Sequence, residues 1–302
     1  MENYLNIDSV ATYFKLREYE LLHPLIGILD FNNFNTESNT HTSYKGLSFD
    51  CHAIFLKDHK SCKMKYGGGQ YDFDEGTMVF LAPNQSVEFS YDKNFVPKGY
   101  ALLFHPELLI GTNLNKKIKN YNFFSYAVNE ALHLSAKERK IILSLIEKIQ
   151  FELEQNMDKH SRKLIVSNLE LLLDYCMRFY DRQFITREIV HTNTMEQFNE
   201  MLNDYFESEQ PKKYGLPSVT HFAEQLHLSS NYFGDLVKKE TGQSAQEYIQ
   251  NKLIDVAKDR IFNPAKTVSE IAYELGFKYP QHFSRTFKKN VGVSPNAFRN
   301  LN

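Results

Sequence analysis

The chain has 302 residues, 42% of them apolar, and a formal net charge of −2. That length suggests about two domains with sizeable cores. It contains no run near the roughly eighteen apolar residues of a membrane span, and its first residues, MENYLNIDSVATYFKLREYE, lack the apolar stretch of a secretory signal, so a cytoplasmic protein is expected.

From Leu21 to Phe104 the sequence reads as β. Short runs rich in Phe, Tyr, Val, Ile and Thr are separated by turn signals at Asp30-Phe31-Asn32-Asn33, Lys57-Asp58-His59, Gly67-Gly68-Gly69, Asp74-Glu75-Gly76, Pro83-Asn84 and Asp92-Lys93-Asn94. Punctuation at this spacing predicts antiparallel strands in a sandwich or barrel. In a strand from Phe49 to Leu56, the side chains of Phe49, Cys51, Ala53 and Phe55 would share one face. The three cysteines, Cys51, Cys62 and Cys176, form no CxxC pair, so reduced thiols are expected and neither a zinc site nor a disulfide framework is indicated.

At Leu134 the apolar period changes. Ser135 precedes Glu138 with the spacing of a capping box, which predicts a helix start. Ile142, Ile146, Ile149 and Leu153 then recur at steps of four, three and four, and Ile165, Leu169, Leu172, Cys176 and Phe179 follow the same rule. Two helices over 135–156 and 162–181 are predicted, with apolar seams suited to helix–helix packing. Either the helices pack on their own sheet, or the seams form a dimer interface of Ile142, Ile146, Ile149, Leu153, Ile165, Leu169, Leu172 and Phe179. Leu171-Leu172-Leu173 broadens the second seam and favours the dimer. The polar stretch 183–193 reads as a linker, with His191-Thr192-Asn193-Thr194 capping a helix over Met195 to Phe206. The domain expectation is therefore a sheet domain over 1–133, helices over 134–182, the linker, and a last domain over 194–302.

That last domain differs in charge. From Pro211 onward there are thirteen Lys and Arg against eight Asp and Glu, whereas the preceding residues carry twenty-two against twenty-nine. A basic end on an acidic body suggests a polyanion-binding module. The segment also repeats itself at an offset of about fifty residues. VTHFAEQLHLSSNYFGDLVKKETGQSAQEY from Val219 pairs with VSEIAYELGFKYPQHFSRTFKKNVGVSPNAF from Val268. Val219 matches Val268, Ala223 matches Ala272, Leu226 matches Leu275 and Leu228 matches Phe277. After a one-residue insertion, Phe233 matches Phe283, Val237 matches Phe287, Lys238-Lys239 match Lys288-Lys289, Gly242 matches Gly292 and Ser244 matches Ser294.

Each copy reads as a helix-turn-helix. Ala223 and Ala272 are small enough to admit a second helix. Gly276 suits a turn of positive φ, which His227 must adopt in the other copy. Second helices open at Ser229-Ser230 and at Pro280. Phe233, Leu236 and Val237 in one, and Phe283 and Phe287 in the other, face inward. The opposite faces carry Ser230, Asn231, Asp235 and Lys238, and Gln281, His282, Ser284, Arg285 and Lys288. Polar side chains on an exposed second helix are what reading a major groove requires. A helix over Leu253 to Ile261 would hold the copies at a fixed separation.

The doubled unit, the KKETG and KKNVG helix ends and the closing GVSPNAFR resemble the DNA-binding domain of the AraC family over about 194–302. The resemblance implies an α+β protein: an N-terminal cupin-like β-barrel or sandwich with two dimerisation helices, then an all-α double helix-turn-helix domain. Local support for the barrel is Glu75-Gly76 with Phe80-Leu81-Ala82-Pro83-Asn84-Gln85. It further implies a sequence-specific transcription regulator, an activator rather than a repressor. Its partners would be double-stranded DNA, a second copy of the chain, a small-molecule effector and RNA polymerase. Residue by residue, Gln281, Ser284 and Arg285 fall where the family reads bases, with His282 adjacent; the first copy has Asn231, Gly234 and Asp235 there. Asp235 stands where Arg is common and Gly234 offers no side chain, which shifts base reading towards the second copy. Ser230, Lys238, Lys278, Lys288 and Lys289 are the phosphate candidates.

Enzyme readings find little support. A cupin-like barrel can hold a metal on clustered His and Glu, but His41, His52 and His59 form no HxH pair, and Ser86 follows Pro83-Asn84-Gln85 where a His is common in related proteins. Gly67-Gly68-Gly69 is followed by no Gly-Lys-Ser/Thr, so it is not a phosphate loop. No cofactor is expected. Two alternatives stay open: a metal-dependent barrel enzyme fused to a DNA-binding domain, and a regulator whose barrel serves only dimerisation or protein contact.

Overall fold

The computed structural model describes residues 4–33, 44–58, 62–66, 69–72, 76–91, 97–127, 130–186 and 188–300. It divides into two compact units, 1–186 and 187–302.

The first unit opens with β1 (Tyr4–Ile7), α1 (Val10–Leu16) and β2 (Ile26–Asp30), followed by β3 (Gly46–Phe49), β4 (His52–Lys57), β5 (Cys62–Tyr66) and β6 (Gly69–Asp72). Then come β7 (Thr77–Leu81), β8 (Gln85–Tyr91), β9 (Gly99–Phe104), the short α2 (Asn113–Lys117), β10 (Leu132–His133), α3 (Ala136–Glu154) and α4 (Ser161–Thr186). The strands form two five-stranded sheets, ordered β1-β3-β8-β5-β6 and β10-β7-β4-β9-β2. Of the two architectures expected, the described strands form the sandwich; they do not close into a barrel. Leu47, Phe49 and Val87 of the first sheet meet Leu29, Ala53, Phe55, Val79, Leu81 and Leu103 of the second, with Val10, Tyr13 and Phe14 of α1 in the same core.

Phe49 to Leu56 is not one strand. Pairing stops at Phe49 and resumes at His52 in the other sheet, with the Asp50 amide donating to Ile7 O at 2.9 Å. Phe49, Cys51, Ala53 and Phe55 nevertheless share one core, because the chain crosses between sheets there. The central strands of the second sheet are apolar on both faces. Ile54, Leu56, Met78, Phe80, Leu102 and Phe104 are also buried. Phe80 lies 4.5 Å from the Phe123 ring, and Met78 Sδ lies 3.9 Å from Cys176 Sγ of α4. A sheet covered on both sides reads as continuous apolar runs instead of alternation.

The capping box at the start of α3 forms as expected between Ser135 and Glu138. The proposed dimer seam does not survive. Ile142, Ile146, Ile149, Leu153, Ile165, Leu169, Leu172 and Phe179 are each at most 4% exposed within a single chain. Side chains already covered inside the protomer have no area left to bury against a second copy. Among the described residues, the large apolar side chains that α3 and α4 leave exposed are Phe151, Leu164, Leu171 and Met177. The end of α4 is tied to the sheet: Arg182 donates to Glu138 and to His133 O, and Gln183 bonds Ala131 O and the His133 amide.

The boundary between the two units falls inside the stretch 183–193 expected to link the domains, but the cap expected before Met195 is corrected. Helix α4 runs to Thr186 and α5 (Glu188–Glu207) starts at Glu188, so His191 to Thr194 lie inside a helix and not at its start. Polarity was a misleading signal for the cap, because residues 191–194 contain neither Gly nor Pro to stop a helix.

The second unit continues with α6 (Gln210–Tyr214), α7 (Val219–Gln225), α8 (Ser230–Thr241), α9 (Ala245–Ile261), α10 (Val268–Glu274), α11 (Pro280–Val291) and α12 (Pro295–Arg299). Phe198 of α5 sits in an aromatic cluster with Phe222, Phe233 and Tyr248. Phe283, Phe287 and Phe298 form the corresponding centre of the second half. Arg299 closes that half by donating to Ile261 O at 2.7 Å and Lys266 O at 2.9 Å.

Candidate nucleic-acid interface

The two copies repeat at the level of single hydrogen bonds. In the first, the turn between α7 and α8 places His227 at φ +56°, and the Leu228 amide donates to Ala223 O at 2.9 Å. In the second, Gly276 takes φ +91° and the Phe277 amide donates to Ala272 O at 3.0 Å. Both alanines are completely buried beneath the helices they admit. Each second helix ends in a left-handed glycine, Gly242 or Gly292, whose amide bonds the carbonyl of Lys238 or Lys288. Ser244 and Ser294 then cap the helices that follow. Here the left-handed residues at the turn and the C-cap set the angle at which each second helix leaves its core.

That core fixes which face is left over. Phe233, Leu236, Val237, Phe283 and Phe287 are buried, as the pattern requires. On α11, Gln281, His282, Arg285, Lys288 and Lys289 are exposed and Ser284 is half-buried. Gln281, Arg285 and Lys288 succeed one another at steps of four and three, so they lie on one side of the helix. Lys278 is exposed in the turn before it. On α8, Asn231 and Lys238 are exposed, whereas Asp235 and Ser230 are half-buried. Ser230 Oγ donates to Thr220 Oγ1 at 3.1 Å, so this candidate phosphate ligand already serves as a tie to α7.

One residue escaped the sequence reading. Ser229 caps α8 by accepting from the Tyr232 amide, but the matching position before α11 is Tyr279, whose side chain makes no cap bond. Tyr279 is 55% exposed, and its ring lies edge-on to the His282 imidazole at 5.4 Å. The signal was present in the repeat alignment, as a Tyr opposite a capping Ser.

The histidines considered as metal ligands separate. His41 and His59 lie outside the described residues. His52 stacks on Phe104 at 4.7 Å with Phe124 edge-on, and burial pushes its pKa down to about 4. Among the described residues no group of three or more His, Cys, Asp or Glu could hold a metal ion. Cys51 and Cys176 are buried, and burial pushes the Cys51 thiol up to about 12, which keeps it protonated. Among the described residues no helix is long and apolar enough to cross a membrane.

Comparison with known proteins agrees with this geometry. A family model for a helix-turn-helix domain matches residues 222–301. The HTH-type transcriptional regulator YfiF of Bacillus subtilis is 30% identical over 141 residues, which cover 47% of this chain and 41% of that one. The HTH-type transcriptional activator RhaS of an Enterobacter species is 21% identical over 254 residues, covering 83% of this chain and 85% of that one. Among solved structures, the C-terminal domain of the two-component response regulator yesN from Fusobacterium nucleatum is 26% identical, covers 35% of this chain and 98% of that one, and gives a TM-score of 0.32. The chain spans less than two thirds of several relatives, among them 41% of YfiF and 19% of YtdP, also from Bacillus subtilis. The relatives are named as transcription regulators, a class without enzymatic activity.

Proposed function

We propose that this chain, whose C-terminal third is a helix-turn-helix domain of the AraC type, is a sequence-specific DNA-binding transcription regulator acting in the cytoplasm. The observation that carries the reading is the duplicated unit with a polar, exposed face on α11; Gln281, His282 and Arg285 would turn to bases, and Lys288 and Lys289 to phosphates. Arg can donate twice to guanine O6 and N7, and Gln can pair with adenine. Helices α8 and α11 would enter successive major grooves on one face of the duplex, about 34 Å apart. A footprint of the full chain on its operator is expected to show two protected patches about one helical turn apart. A single short patch would rule out the bipartite mode.

The first unit would act as the sensing and dimerisation half. Similarity to RhaS along most of both chains favours activation, and with it contact to RNA polymerase. A small-molecule effector is part of the same reading. For the dimer, the residues available are Leu164 and Leu171, seven apart on α4 and each 44% exposed, with Phe151 on α3. Leu164→Asp with Leu171→Asp should turn a dimer into a folded monomer in light scattering. Leu169→Asp should instead unfold the unit, since it buries a charge in the protomer's core. A parent protein that is already monomeric at micromolar concentration would sink the dimer reading.

A further inference from the structure

We infer that Tyr279 is a specificity-determining residue of the second helix-turn-helix: it positions His282 and offers its own ring to a thymine methyl in the major groove. This rests on the DNA-reading function proposed for α11.

In this unit α7, α8, α9, α10 and α12 are each capped by a Ser or Thr whose side chain accepts a backbone amide. Tyr279 forgoes that bond, leaving Pro280 at the first helical position as the start signal of α11. A cap bond of this kind changes a folding equilibrium by about fivefold, so the domain is less stable for having Tyr where the first copy has Ser229. The side chain is not used in the core either, for the residue is more than half exposed. Its close partner is His282, three residues on, with the ring planes inclined at 63°. Edge-to-face packing restricts the imidazole, which otherwise rotates freely on an exposed first turn. In the first copy the residue matching His282 is Tyr232, which is buried and has no such role.

The first turn of a recognition helix is the part that reaches base edges. An aromatic ring there complements the thymine C5-methyl, while the imidazole beside it serves as donor or acceptor. The ring's apolar surface, wet in the free protein, is covered on binding. Tyr279 thus adds a base preference next to those of Gln281 and Arg285.

The test is selection from randomised duplexes with the full-length chain and its Tyr279→Ser and Tyr279→Phe variants, together with thermal melting. Tyr279→Ser restores a side-chain cap, so its melting temperature should rise by several degrees. Its thymine preference at one or two positions should nonetheless fall about fivefold. Tyr279→Phe should keep the parent motif. Replacing that thymine by deoxyuridine removes only the methyl, and should weaken the parent about fourfold while leaving Tyr279→Ser unaffected. If Tyr279→Ser selects the parent motif with unchanged weights, the inference is overturned and DNA reading by α11 stands. A Tyr279→Phe variant as defective as Tyr279→Ser would assign the effect to the hydroxyl and also overturn it. Should the parent enrich no motif at all, the underlying function fails, and the inference with it.

Discussion

In the first helix-turn-helix the turn passes through His227, which carries its side chain at φ +56°; in the second it passes through Gly276 at φ +91°, pressed against Gly215. A Cβ on Gly276 would stand 2.6 Å from the Gly215 carbonyl and 2.9 Å from Pro211 O. The helices that leave these turns differ in the opposite sense. Helix α8 carries Gly234 and Asp235 at the centre of its outer face, while α11 carries Ser284 and Arg285. The second copy is therefore the more constrained in its turn and the better furnished on its surface. The first keeps the shared skeleton with fewer groups able to read bases. Duplication preserved what the core demands and let the outer faces drift apart.

The largest effect that would sharpen this contrast is expected at the turns. Gly276→Ala should cost about 3 kcal/mol or more, because the methyl meets backbone and the φ is unfavourable for any L side chain. His227→Gly should change stability by less than about 1 kcal/mol. Chemical denaturation of both variants would measure the difference, and equal losses would erase the distinction between the turns. Next in size is Arg285→Ala, expected to cost about 1–3 kcal/mol on the cognate site and much less on scrambled DNA. Equal losses on both would make Arg285 a phosphate anchor.

Gly234→Ala should stabilise the protein by about 0.5–1 kcal/mol, since the position is helical and an added Cβ meets nothing within 4 Å. A loss of stability there would mean that α8 needs its glycine for folding. Lys288→Ala should weaken all sequences alike and lower the salt slope by about one; sequence-dependent loss would move Lys288 to the base-reading set. The smallest effect is expected from Asp235→Ala, which should leave affinity nearly unchanged or raise it slightly on every DNA by removing a negative charge near phosphates. If Asp235→Ala abolished discrimination in a salt series, the roles of the two copies would have to be exchanged.

The two helix-turn-helix units were legible because their cues are local. Alanines beneath the turn, residues of positive φ, the caps and the lysine pairs all act within a few residues of chain, and the repeat doubles each cue. The dimer seam was misread for the complementary reason. Ile142 to Leu153 and Ile165 to Phe179 show a periodic apolar stripe, but a stripe says only that something covers it, and the cover was the chain itself. The cap expected at residues 191–194 was misplaced because polar residues permit a helix start without requiring one. At Phe49 to Phe55 alternation identified shared burial correctly, yet could not reveal that two sheets supply it.

By itself, the sequence determined the periods, the capping box at Ser135, the duplicated helix-turn-helix, and which side of α11 is polar, since these depend on neighbours within one or two turns. The tertiary structure decided which apolar faces are spent within the protomer, that Ser230 is tied to Thr220, that the described strands remain two sheets, and that the Tyr279 ring meets His282 instead of capping α11. Those outcomes depend on surfaces brought together by packing, and a stripe or a single ring carries no record of which partner will cover it.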